Sequence, residues 1–333
     1  MTQKVNRQTV SIIIPVHNGG EPFRKCLASL TTAGTHPDEV IVVADGETDG
    51  AWRQAEKFDY QTEMMPVSGG PARARNRGAQ MARGDILLFV DADVTLSSDV
   101  VGQVASFFEN NPDFAAVIGS YDDEPLETNF LSQYKNLVHH YVHQISKEEA
   151  STFWCGCGGI RRSVFMEMGG FDESYRRPSI EDIELGYRLK RAGYRIRLLK
   201  TLQVKHLKHW GVLSLLKADF FYRALPWTRL ILNDGRFIND LNLTASNRVS
   251  VLLGYAILFT LLGGFFVPRL FIPAGIFMFA LSVLNKDLYH FLIKKKGGIF
   301  SLKAIFWHWL YFLYSGLAFS IGYVESGIKK IVS

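Results

Sequence analysis

"GDILLFVDADV" (residues 84–94) sets an unbroken apolar run against two carboxylates. Ile86 to Asp91 read as a strand covered on both faces, because the run has no polar side to give to water. The strand then runs out into Asp91 and Asp93. Carboxylates are costly beside a core unless a cation or hydrogen-bond donors meet them. With the pleat continued, residues two apart point to one side, so both carboxylates face one ligand. A hard divalent ion such as Mg²⁺ or Mn²⁺ takes one or two carboxylates together with phosphate oxygens, which makes Asp91, Ala92 and Asp93 a candidate site for both. The competing reading is a capped turn.

Working outward, "VSIIIPV" (10–16) is a β-branched run ended by Pro15 and the turn "HNGG", and "EVIVVA" (39–44) is a second strand. Between them Phe23, Leu27 and Leu30 recur at helical spacing. "PARARNRGAQMARG" reads as a helix with Pro71 in its first turn and Gly84 closing it. A helix in "SDVVGQVASFFENN" and a strand in "FAAVIGS" follow "DILLFVDAD". Strands alternating with helices predict an α/β fold, a mostly parallel sheet flanked by helices. Ligands of such sheets bind beyond the carboxyl ends of the strands. "HNGG", "DGETDG" and "DADV" occupy those ends, so scattered polar residues become one candidate site.

"DGETDGAWRQAE" places Asp45, Glu47, Asp49, Gly50 and Glu56 at calcium-loop spacing. An EF-hand needs a helix entering that loop, and "EVIVVA" is a strand former; calcium is excluded. Asp49 reads as the cap of the next helix, which leaves Asp45 without a structural reason.

Five blocks, "VSIIIPVHN", "EVIVVADGETDG", "GPARARNRGAQMARGDILLFVDADV", "CGCGGIRRSVFMEMGGFDE" and "EDIELGYRLKRAGYRI", stand in the order and spacing of family-2 glycosyltransferases, which residues 9 to 206 therefore resemble. The resemblance implies a GT-A (Rossmann-like) fold, a nucleotide-sugar donor (UDP-linked as the family-level expectation), Mg²⁺ or Mn²⁺, and inversion at the anomeric carbon. Carried over by position, Pro15, Val16, His17 and Asn18 lie along the nucleoside and Asp45 accepts from the base. Arg75 and Asn76 match the segment bordering the nucleotide. Asp91 and Asp93 match the D-x-D pair, with Asp93 as metal ligand. Glu181 and Asp182 match the "ED" pair, whose Asp is the general base. Ala44 departs from the pattern, where many members carry a first Asp. The resemblance also makes "CGCGGIRRSVF" an acceptor and donor-sugar loop through Gly156, Gly158 and Gly159, with a flexible turn as the alternative. His206 in "VKHLKHW" takes the place of a further metal ligand, against the plainer reading of a structural histidine.

After residue 248 the composition changes. Runs at 249–267, 270–292 and 304–324 predict about three hydrophobic helices and an all-α membrane region, the second run short enough to be re-entrant. Leu213, Leu216, Phe220, Ala224, Trp227 and Ile231, with Lys217, Arg223 and Arg229 between, predict an amphipathic segment at 211–248, interrupted before Pro226. It lies on the membrane or packs on the preceding domain. The expected organisation is thus a catalytic domain at 1–210, a juxtamembrane segment at 211–248 and a membrane region at 249–333. "MTQKVNRQTV" has no apolar stretch, and Arg248 and the lysines of 285–303 flank the runs, so the first region is expected to face the cytosol as part of an integral protein of the bacterial inner membrane. Lys329 and Lys330 pull the other way for the tail. A net charge of +5 suits an anionic leaflet, and no basic stripe with interleaved aromatics points to nucleic acid. Cys26, Cys155 and Cys157 form no disulfide framework. The expected partners are a nucleotide sugar, a lipid or lipid-linked acceptor and membrane lipids. The rivals are a non-catalytic scaffold on the same fold and a processive synthase, whose Q-x-x-R-W motif is missing. Oligomeric state stays open.

Overall fold

The computed structural model describes residues 7–235 and 239–332, without the side chains of 329–332. The first six residues and the charges of Lys329 and Lys330, which enter the topology reading, lie outside the described residues. Two compact units divide after Trp210.

In the first unit β1 (Val10–Val16), β2 (Glu39–Asp45), β3 (Gln61–Met65) and β4 (Ile86–Val90) are parallel, with α1 (Gly20–Thr31), α2 (Arg53–Glu56) and α3 (Pro71–Met81) as their connections. β5 (Val94–Leu96), α4 (Val100–Asn110), β6 (Ala116–Tyr121), α5 (Phe130–Ile145), β7 (Glu149–Ala150), β8 (Cys157–Arg161), α6 (Arg162–Glu167), α7 (Glu181–Arg191) and β9 (Ile196–His206) follow. The sheet order is β3-β2-β1-β4-β8-β6-β9-β5, with β7 on β9. β8 runs antiparallel to β4 and β6, so the sheet is parallel on one side and mixed on the other.

Why the strands read as unbroken apolar runs is visible in the two cores. Ile12, Ile14, Val42 and Leu88 pack with Phe23 and Leu27 on one face. Ile13, Ile41, Val43 and Phe89 pack with Ala72 and Ala79 on the other. Alternate side chains serve opposite faces, and both faces are covered.

The glycine-rich stretch expected to be a loop is instead a central strand. Gly158 and Gly159 lie in β8, paired with Phe89 and Leu88 of β4. A Cβ on Gly158 would stand 2.2 Å from the Trp154 carbonyl, and one on Gly159 would stand 3.1 Å from Val104. These glycines serve close packing of protein on protein.

In the second unit α8 (Val212–Lys217) continues through a π-helical turn, Ala218–Ala224, into α9 (Leu225–Asp234). The interruption expected before Pro226 is therefore a widened turn rather than a break, the π-helical turn running directly into α9 with Pro226 in its first turn. α10 (Ala245–Gly264), α11 (Phe271–Leu284) and α12 (Lys286–Val332) complete it, α12 being broken at Gly297 (φ 80°, ψ 176°). The run at 270–292 is not one helix. It divides at Asn285, whose amide donates to Ser250 Oγ at 3.0 Å and to the Leu281 carbonyl at 2.9 Å. α10 and α12 are long and apolar enough to cross a membrane; α11, at 14 residues, is about 21 Å long and falls short. Beside a small apolar core of Ile257, Leu281 and Phe312, this unit buries the polar Ser250 and His308 and exposes Phe259, Phe266 and Phe279.

Candidate active site

The carboxyl end of β2 delivers Asp45 to a turn made by Ser68, Gly69 and Gly70. Gly69 N–H, Gly70 N–H and Ser68 Oγ donate to its carboxylate at 2.7, 2.8 and 2.9 Å. The sequence offers no structural reason for Asp45; this turn is one. His17 Nδ1 lies 2.7 Å from the Asp45 carbonyl oxygen and donates to it. Asn18 takes a left-handed conformation (φ 52°) and its Oδ1 accepts from Thr48 N–H at 2.8 Å and Asp49 N–H at 3.2 Å. Pro15 and Val16 remain in β1, in register with Val43 and Ala44. Strand ends and loops are thus tied to each other around one mouth of the sheet.

The pleat expected to aim Asp91 and Asp93 at one ligand stops at Val90. Residues 91–93 form a turn, closed by Val94 N–H on the Asp91 carbonyl at 3.2 Å, and two-residue periodicity no longer applies. Ala92 packs against the core of one sheet face. The two carboxylates meet different cations. Asp91 Oδ1 accepts from Arg75 Nη2 at 2.7 Å. Asp93 Oδ2 stands 3.2 Å from Lys208 Nζ and 3.9 Å from His206 Nε2. Burial opposes ionisation of Asp93, but His206 and Lys208 outweigh it and hold the carboxyl below its ordinary range.

Arg75 is buried and binds in two directions: its Nη1 also donates to Glu181 Oε1 at 2.8 Å. The other Glu181 oxygen accepts from Ser179 N–H at 2.9 Å, just before α7. One guanidinium from α3 therefore joins the turn after β4 to the start of α7, pairing each charge that burial would otherwise penalise. Beside it Asp182 accepts from Cys155 N–H at 3.2 Å and Ile183 N–H at 2.8 Å. Burial, aided by the neighbouring Glu181 charge, pushes the Asp182 carboxyl up to about 7, against the pull of Arg75 and the two N–H groups. A carboxyl so placed exchanges a proton near neutrality, as a general base must. Cys155 is fully buried, and burial raises its thiol, so it is a packing residue here.

Asn76 does not face this cluster. Its amide donates to the Phe171 carbonyl and Glu173 Oε1 and accepts from Phe171 N–H, clamping the loop after α6. Gly156, like Gly158 and Gly159, makes room for protein: a Cβ there would stand 2.3 Å from the Trp154 ring. His206 ends β9 opposite Val94, its ring stacked on Tyr121 at 4.2 Å, and Trp154 packs edge-on against Tyr121 at 4.9 Å. His209 pairs with Glu127 instead. Lys208, two residues after His206, has no motif to mark it in the sequence, and Tyr121 and Trp154 carry no local signal.

Among the described residues, no group of three or more His, Cys, Asp or Glu is arranged to hold a metal ion. Asp93 and His206, whose Oδ2 and Nε2 stand 3.9 Å apart, are by their chemistry, a carboxylate beside an imidazole, the donors that fit a divalent ion shared with substrate oxygens.

Residues 11–169 match the family model described as Glycosyl transferase family 2. The chain is 25% identical over 253 residues to an uncharacterized glycosyltransferase of Bacillus subtilis, YfnE, covering 60% of this chain and 64% of that protein. It is 24% identical over 173 residues to a glucosyl-dolichyl phosphate glucuronosyltransferase of Haloferax volcanii, covering 49% of this chain and 55% of that protein. The matches span between 26% and 64% of the length of the first curated relatives. Among solved structures, the mannosyltransferase PcManGT of Pyrobaculum calidifontis, in complex with GDP-Man and Mn²⁺, superposes with a TM-score of 0.59 at 16% identity, over 94% of this chain and 87% of that one. The likeness is one of fold: a mixed α/β sheet of GT-A type, followed by helices.

Proposed function

From the premise that residues 11–169 form a glycosyl transferase family 2 domain, we propose that the protein transfers a sugar from a nucleotide-sugar donor to a lipid or lipid-linked acceptor at the cytosolic face of a membrane. The observation that carries this reading is the convergence of Asp91, Glu181 and Asp182 on Arg75, with Asp182 poised at about 7.

Asp182 takes the proton of an acceptor hydroxyl as that oxygen attacks the anomeric carbon from the face opposite the leaving diphosphate, so configuration inverts. Arg75 holds Glu181 and Asp91 in place while the proton moves. Asp93 and His206 are the residues to hold Mg²⁺ or Mn²⁺, which when bound neutralises charge on the departing diphosphate. Asp45 keeps a role toward the base: a carboxylate has about four acceptor sites, and its three donors leave one. UDP-linked donors are the first to test.

The acceptor class rests on the second unit, whose outward apolar side chains and two long helices suit a bilayer, and on the lipid-linked substrate in the Haloferax relative's name. The deciding experiment is a panel of nucleotide sugars, each with and without Mn²⁺ or Mg²⁺, scored by melting temperature and then by transfer to lipid acceptors. No shift with any nucleotide sugar would overturn the reading in favour of a scaffold on this fold. Stabilisation indifferent to metal would remove Asp93 and His206 from it.

A further inference from the structure

We infer that Lys208 is a resident counter-cation of Asp93 that yields its place to a divalent ion only when a diphosphate arrives to receive its ammonium. The inference rests on the metal and donor reading above and goes beyond it, because it makes metal binding conditional on nucleotide.

Lys208 Nζ and His206 Nε2 address the same oxygen, Asp93 Oδ2, at 3.2 and 3.9 Å. The lysine starts from a fixed point. Val94 pairs with His206 across the β5–β9 ladder, and Leu207 N–H donates to the Asp93 carbonyl at 2.8 Å. Its backbone is locked beside the carboxylate while its side chain, 47% exposed, is free to swing. From that same position Nζ also lies 5.7 Å from the Trp210 ring centre, an aromatic face that flanks its path away from Asp93.

An ammonium and a divalent ion cannot share that oxygen. An ion entering between Asp93 and His206 meets a like charge a few ångströms off, and among the described residues no third His, Cys, Asp or Glu is arranged to join them. A nucleoside diphosphate changes both terms. It brings oxygens for the ion, and negative charge that draws the ammonium off Asp93 onto the phosphates. One side chain thus opposes metal before the nucleotide and holds the diphosphate afterwards. Linkage then requires that each ligand raise the other's affinity equally.

The test uses the full chain in detergent and reads Mn²⁺ binding from the spin-resonance signal of the free ion, with no nucleotide present. Lys208→Gln removes the charge, Lys208→Arg keeps it, and Asp93→Asn removes the carboxylate. Lys208→Gln is expected to bind Mn²⁺ about ten-fold more tightly than the wild type, within the usual range of coupling between sites, while Lys208→Arg stays near wild type. In EDTA, UDP affinity of Lys208→Gln is expected to fall by about ten-fold, on the same scale. Unchanged or weaker Mn²⁺ binding by Lys208→Gln, where Asp93→Asn abolishes it, overturns the role of Lys208 alone. Wild-type Mn²⁺ binding by Asp93→Asn overturns the metal site itself, and this inference with it.

Discussion

In the first unit the large apolar side chains are inside, and its buried charges are met by partners, Glu181 by Arg75 and Asp45 by backbone N–H groups. The second unit has a small apolar core of Ile257, Leu281 and Phe312, but beside it the pattern is reversed: Ser250 is fully buried while Phe266 is 88% exposed. Inside it Tyr314 donates to Asp219 at 2.8 Å, and Asn285 to Ser250 at 3.0 Å. One set of rules accounts for both patterns if the surroundings differ. In water, apolar surface is driven inward. In hydrocarbon it gains nothing by hiding, and polar groups must find partners within the protein. On the proposed function the first unit carries the chemistry and the second the anchoring, and each of these proposals exposes itself to a substitution.

The largest effect is expected at Asp182. Asp182→Asn keeps the acceptor of Cys155 N–H but loses the base, so turnover should fall by about 10² to 10⁴-fold, with the acid limb near pH 7 absent from the residual rate. Near-normal turnover would mean an acceptor already ionised, such as a polyprenyl phosphate. Stability gives a second readout. The Asp182 carboxyl is pushed up to about 7 in the folded state, against about 3.9 in an unfolded chain. The folded protein therefore holds this proton more tightly. The associated stability is complete below the unfolded value and is lost as pH rises through about 7. Asp182→Asn should accordingly melt higher than the wild type at pH 8, with the advantage vanishing near pH 4.

Next in size is Arg75→Met. It strands a buried Glu181 and should cost about 3–5 kcal/mol, read as a fall in the melting temperature of the first unit. Arg75→Met with Glu181→Met should recover part of the loss. If the double variant is as unstable as the single one, the guanidinium is held for packing rather than charge.

Phe259→Lys addresses the second unit. A lysine at mid-helix in a bilayer costs about 2.5–3.5 kcal/mol, so the protein resistant to alkaline carbonate extraction should drop. If that surface meets water instead, an exposed lysine changes stability by less than about 0.5 kcal/mol, and the anchoring role fails.

Much of this contrast is written locally, and some is not. "VSIIIPV", "EVIVVA" and "ILLFV" announce buried strands because both faces are covered, and no tertiary knowledge is needed to see it. β8 is hidden because Gly158 and Gly159 weaken strand propensity locally; only the nearness of Trp154 and Val104 explains them. Asp91 and Asp93 are legible as a site but not as a geometry, since whether the pleat continues past Val90 depends on the turn closed at Val94. Asn76 stands next to Arg75, yet its partners are about ninety-five residues away. Adjacency carries roles between neighbours only when they share a face, and on a helix consecutive residues do not. The run at 270–292 looks continuous because hydropathy does not register one asparagine that bonds across to Ser250.

The smallest expected effect separates the units by backbone alone. Gly70 (φ 92°, ψ 167°) and Gly297 (φ 80°, ψ 176°) occupy the same region, open essentially to glycine only. Gly297 has nothing within 4 Å of where a Cβ would be, whereas a Cβ on Gly70 would stand 2.6 Å from the Arg176 carbonyl oxygen. Gly297→Ala therefore meets conformational strain only, about 1–3 kcal/mol, and α12 has a way to relieve it by straightening through 297. Gly70→Ala meets the same strain and a collision with backbone. It also disturbs a turn whose Gly69 and Gly70 N–H groups hold Asp45. Amide hydrogen exchange over 294–300 and over 68–70 reads the two cases directly. Slower exchange around 297 in Gly297→Ala, against faster exchange around 70 in Gly70→Ala, is the expected pair. Equal loss of protection in both would mean that the break in α12 is held as firmly as the turn beneath Asp45, and that the second unit needs its bend as the first needs its site.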